Sequence, residues 1–139
     1  MFNISLERRG RVVDAEGEIV IGEFRESFLI DLSHWSAEQY RDSWRRCAGA
    51  VLSKGFARFL TSIGAPGVGL YETWPCWRRG GDVVLLKGYV LSSVTRDYKR
   101  AEEAETLESS APAPEQVRYR CTLTDMAAFE RRLIGAAQQ

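Results

Sequence analysis

The chain has 139 residues, 45% of them hydrophobic and 11% aromatic, and its nineteen Lys and Arg offset nineteen Asp and Glu. That size and composition fit one globular domain over residues 1–139, large enough to form a core without disulfide or metal staples. A formal net charge of zero speaks against a generic polyanion binder, and apolar runs such as Val83-Val84-Leu85-Leu86 fall far short of the ~20 residues that span a bilayer.

In chain order, Phe2, Ile4 and Leu6 share one period-2 face, which predicts a strand from Phe2 to about Val13. Glu16-Gly17 reads as a turn. A longer strand is expected over Glu18 to Leu32, with Val20, Phe24, Phe28, Ile30 and Leu32 on one parity and Glu23, Arg25, Ser27 and Asp31 on the other. Gly22 and Glu26 interrupt its apolar face and suggest a bend or bulge. After Trp35, the Ser36/Gln39 spacing is that of a capping box. Tyr40, Trp44, Cys47, Ala48, Val51 and Leu52 then recur at helical spacing, and Gly55 is placed to end the helix.

Phe56 to Ile63 reads as a strand with apolar residues on both parities, hence central in a sheet. Gly64 to Gly69 is a loop by its Gly and Pro content. Its glycines suggest a phosphate cradle only superficially, because no Lys-Ser/Thr ending and no helix pattern follow. Strands over Leu70–Trp77 and Val83–Leu91 flank the Arg79-Gly80-Gly81-Asp82 turn, with Pro75 expected at an edge or bulge. Residues 101–115, acidic and Pro-containing, read as a mobile surface loop. A strand over Gln116–Leu123 and a short closing helix carrying Met126, Phe129 and Leu133 complete the chain. The expected class is α+β: a mostly antiparallel sheet with one long amphipathic helix packed on it and a short C-terminal helix.

The charge is unevenly spread. Residues 1–40 hold four basic and eight acidic side chains, residues 41–100 eleven and four, and residues 101–139 four and seven. Such asymmetry leaves room for local charge recognition. Cys47, Cys76 and Cys121 are widely spaced and odd in number, which fits a reduced, cytoplasmic setting. The N-terminal MFNISLERRGRVV holds no long apolar stretch, so no secretory signal is expected.

Catalytic candidates are sparse. The sole histidine, His34, would need spatial contact with Cys76 to form a nucleophile–base pair. One His and scattered Cys give no metal-ligand spacing, and no cofactor is expected. Arg78 and Arg79 beside Trp74 and Trp77 offer charge with stacking surfaces, as a single-strand nucleic-acid groove would. Glu102, Glu103, Glu105 and Glu108 form an acidic run that is either a solvated segment or a dock for a basic partner.

The stretch Ile21-Gly22-Glu23-Phe24-Arg25-Glu26-Ser27-Phe28, continuing through Leu32, Trp35-Ser36, Tyr40 and Ser43-Trp44, is distinctive. It resembles the immunity proteins of bacterial contact-dependent growth inhibition (CDI) systems, in which a G-x-F-x-E-x-F strand leads into an L-x-x-W-S…Y…W helix. The resemblance runs on through Leu60-Thr61-Ser62, Trp74-Pro75 and the Arg78-Arg79-Gly80-Gly81-Asp82 turn, covering about residues 18–90. It implies a small cytoplasmic, non-catalytic protein that binds 1:1 the C-terminal toxin domain, a nuclease in the leading reading, of a cognate CdiA effector. Gly22, Phe24, Phe28, Trp35, Tyr40, Trp44, Trp74 and Pro75 then form a scaffold signature rather than a binding site. The acidic residues Glu102, Glu103, Glu105 and Glu108 are the expected toxin-facing patch, because nuclease clefts are commonly basic. The alternatives are a nucleic-acid module on the Trp/Arg hairpin and a Cys/His-dependent enzyme.

Overall fold

The structure is a computed structural model that describes residues 1–8, 14–64, 69–93, 95–105 and 117–137. Strands β1 (Phe2–Arg8), β2 (Asp14–Ile21) and β3 (Phe24–Asp31) form an antiparallel sheet in chain order. Phe2, Ile4 and Leu6 line its inner face, level with Ile21, Ile19 and Gly17 on β2 and with Phe24, Glu26 and Phe28 on β3. Glu16-Gly17 is not a turn, because both residues lie within β2. Gly17 serves packing there: a Cβ on it would stand 2.6 Å from Phe28 Cε2 and 2.7 Å from Ile30 Cδ1. The reversal comes at Gly22-Glu23, where Gly22 takes φ +62°, so the strand expected over Glu18 to Leu32 is a hairpin.

Helix α1 (Ala37–Lys54) begins and ends as the sequence predicts. Ser36 Oγ accepts from the Gln39 N–H at 3.2 Å, and Gln39 Oε1 accepts from the Ser36 N–H at 2.8 Å. Gly55, at φ +89°, donates its N–H to the Ala50 and Val51 carbonyls. The stripe of Tyr40, Trp44, Cys47, Ala48 and Val51 is buried, with Leu52 half-buried. Trp44 Nε1 donates to the Leu60 carbonyl at 2.9 Å. The Tyr40 hydroxyl donates to the Asp31 carbonyl at 2.6 Å and accepts from the Ile63 N–H at 3.1 Å. One side chain of α1 therefore ties the last residue of β3 to Ile63, the last residue of the strand that follows α1.

The second sheet contains β4 (Phe56–Ile63), β5 (Leu70–Arg79), β6 (Asp82–Leu86), β7 (Gly88–Leu91) and β8 (Arg118–Thr122). Its order is β4-β5-β6-β8, with β7 also paired to β5. β4 is thus terminal rather than central. It is buried because α1 and a six-residue helix, α2 (Tyr98–Glu103), pack against it. The single strand expected over Val83–Leu91 divides at Lys87. β6 pairs with β5 up to Cys76 and β7 pairs from Thr73, leaving a gap at Trp74-Pro75, where Pro75 has no N–H to give. Pro75 consequently sits in a central strand beside a ladder break, not on an edge.

The first residues of the loop expected over 101–115 belong to α2, and 106–116 lie outside the described residues. Helix α3 (Leu123–Ala137) follows β8 directly. Thr122 and Asp125 exchange side-chain-to-backbone hydrogen bonds at its start, both at 3.0 Å. Met126 and Phe129 are buried, and the Phe129 ring stands edge-on to Phe2 with centroids 4.9 Å apart. Phe59 joins this cluster at 5.6 Å from Phe2, each such ring pair adding about 0.5–1.5 kcal/mol beyond area burial. The architecture is α+β with antiparallel sheets, and one core of side chains runs through α1, α3 and both sheets.

Candidate interaction surface

The acidic candidates divide once α2 is in place. Asp97 caps this helix, its side chain accepting from the Lys99 and Arg100 N–H groups. Arg58, fully buried on β4, donates from Nη1 to the carbonyls of Ala101 at 2.7 Å and Ala104 at 2.6 Å, fixing α2 against the sheet. Burial lowers its pKa to about 10, which leaves it charged at neutral pH. Held this way, α2 turns Glu102 inward until it is only 4% exposed. Its carboxylate accepts from the Ser43 hydroxyl and from Arg46 Nη2 at 3.1 Å, both on α1. Desolvation is the largest influence on it and raises its pKa. Glu102 is therefore a positioning contact between α1 and α2 and offers no surface to a partner.

Glu103 and Glu105 are exposed, and Glu105 Oε1 accepts from Trp77 Nε1 at 3.0 Å. Glu108 lies outside the described residues. Two of the four expected acidic residues thus remain at a surface, Glu103 at the end of α2 and Glu105 just beyond it, against Trp77.

The scaffold residues sit in or against the core. Trp35, Tyr40, Trp44, Trp74 and Pro75 are buried, Phe24 and Phe28 are half-buried, and Gly22 makes the β2–β3 turn. Trp35 stacks edge-on against Tyr40 and Tyr98, with centroids 5.3 and 5.0 Å away.

The alternative chemistries find little footing. Cys76 is wholly buried and desolvation pushes its thiol well up, opposite to an activated thiolate, while His34 is exposed ahead of α1. Among the described residues no cluster of three or more His, Cys, Asp or Glu is suited to hold a metal ion, and no helix is long and apolar enough to cross a membrane. Trp74 faces the core, so a two-tryptophan stacking platform does not form. Arg78 spends one guanidinium nitrogen on the Leu52 carbonyl at 2.8 Å.

Sequence reasoning missed Arg118 and Arg120. Their alternation marks one face of β8, but only the strand register shows their neighbours: Arg120 stands opposite Val84, itself opposite Trp77, and Arg118 stands opposite Leu86. With Arg79 and Asp82 they line a surface groove of about 420 Å³. It adjoins Glu105 through Trp77.

No family model matches the chain, and no curated protein matches it in sequence. Among solved structures, it is similar to a chain of the CdiA-CT/CdiI toxin and immunity complex from Enterobacter cloacae. The TM-score is 0.78 at 18% sequence identity, over 97% of this chain and 99% of that one. The likeness is one of fold, end to end.

Proposed function

We propose that this chain is a CDI immunity protein that binds the C-terminal toxin domain of a cognate CdiA effector in the cytoplasm, 1:1, and neutralises it without catalysis. The observation that carries this reading is the end-to-end fold likeness to a chain of a toxin and immunity complex, at TM-score 0.78. The landmark residues of the sequence resemblance support it, because Trp35, Tyr40, Trp44 and Trp74 are the buried frame on which such a fold depends. The proposed toxin is a nuclease, and the proposed toxin-facing acidic residues are Glu103 and Glu105, whose charge suits a basic cleft.

The test is protection. Cells expressing the toxin domain encoded beside this chain should survive when the chain is co-expressed, and the purified chain should suppress the domain's nuclease activity at equimolar ratio. Continued killing with both proteins present and soluble would overturn the reading. Protection that persisted with no physical association would overturn the binding mechanism.

A further inference from the structure

The outward face of β5-β6-β8 carries a cluster of exposed arginines, of which Arg79 donates to the Arg78 carbonyl at 3.1 Å. The register sets Arg79 opposite Asp82, Trp77 opposite Val84, Val84 in turn opposite Arg120, and Leu86 opposite Arg118, so alternate residues of three strands share one face. Among the described residues that line the groove, three arginines meet one carboxylate there. Asp82 reaches Arg120 only at 4.0 Å, with Arg120 70% exposed, a geometry worth little in water. The floor is apolar and fixed: Trp77 packs on Phe56 at 5.3 Å between centroids, and its indole N–H is held by Glu105 at 3.0 Å. Guanidinium groups over an aromatic and aliphatic floor match planar carboxylates bidentately, and Arg and Trp are the side chains enriched at interface centres.

A nucleic acid fits this groove less well. Among its described lining residues it offers a single aromatic ring, Trp77, where a single strand stacks successive bases on several.

We infer that this arginine groove docks an acidic segment of the partner toxin domain, so that the interface is bipolar, with Glu103 and Glu105 at one end and Arg79, Arg118 and Arg120 at the other. The inference rests on the immunity reading above and extends it to a surface and a partner chemistry.

The experiment compares association kinetics of the wild-type chain, an Arg118→Glu/Arg120→Glu variant, an Arg118→Gln/Arg120→Gln variant and an Arg131→Glu control on α3 with the purified toxin domain, at low and high salt. Both groove arginines are exposed, so circular dichroism should show all four chains folded. The double reversal should slow association about tenfold or more at low salt, the neutral pair less, with the difference shrinking as salt rises and the control unchanged. Wild-type binding with unaltered kinetics in both groove variants would overturn the inference and leave the immunity reading intact. Absence of wild-type binding would overturn both. Arginine-dependent binding of a single-stranded oligonucleotide, with toxin association unaffected, would reassign the groove to nucleic acid.

Discussion

Replacing Glu102 separates a structural carboxylate from a toxin-facing one. In Glu102→Ala the wholly buried Ser43 hydroxyl loses its acceptor, which costs about 1–3 kcal/mol. Arg46 is 48% exposed and rehydrates, so losing that ion pair adds ~0–1 kcal/mol. Removing the desolvated carboxylate returns part of this, leaving about 2 kcal/mol of net destabilisation, or a Tm lowered by roughly 5–8 °C for a chain of this size. Glu102→Gln keeps an acceptor for Ser43 while removing the charge. Burial raises the Glu102 pKa above its ordinary 4.5, so in the window above 4.5 the folded chain binds the proton more tightly than the unfolded one. This carboxylate's contribution to stability therefore falls as pH rises through that window, and Glu102→Gln should flatten the fall. Thermal melts from pH 4 to 8 measure both effects. Toxin affinity, measured where the variants are folded, should match wild type. A Glu102→Ala chain with unchanged Tm and weakened toxin binding would refute the buried assignment.

Tyr40→Phe strips the hydroxyl that joins Asp31 to Ile63, leaving two backbone groups without that partner; a loss of about 2–4 kcal/mol is expected in urea unfolding. Gly17→Ala drives a methyl into Phe28 and Ile30 and should cost about 1–3 kcal/mol through overpacking, whereas an alanine tolerated without loss would show that β3 yields easily. The buried thiols of Cys47, Cys76 and Cys121 should resist a thiol reagent until the chain unfolds, and Cys76→Ala should leave in-cell protection unchanged. Rapid labelling of Cys76 in the native state would contradict its place in β5.

What could be read from the sequence was local. The capping box, the left-handed stop at Gly55 and the α1 stripe each involve residues within a few positions of one another, and all three stand. Gly17 was misleading because a glycine that makes room for Phe28 looks, in sequence, like one that makes a turn. Pro75 misled for a related reason: its missing N–H falls at a break between β6 and β7, which a central strand tolerates. α2 left a signal in Asp97 as a helix cap, weak for a helix of six residues. The burial of Glu102 left none, since Ser43 lies 59 residues away. The arginine groove also depends on pairing across β6, and no spacing within 118–120 reveals Trp77 on the same face.

The central claim is met most directly by titrating the purified chain into the C-terminal domain of the CdiA effector proposed as its partner, with calorimetry and the proposed nuclease activity followed on the same samples. The account predicts saturable 1:1 binding with a Kd below about 1 μM and loss of toxin activity at equivalence. No heat of binding, with nuclease activity undiminished at excess chain, would contradict it.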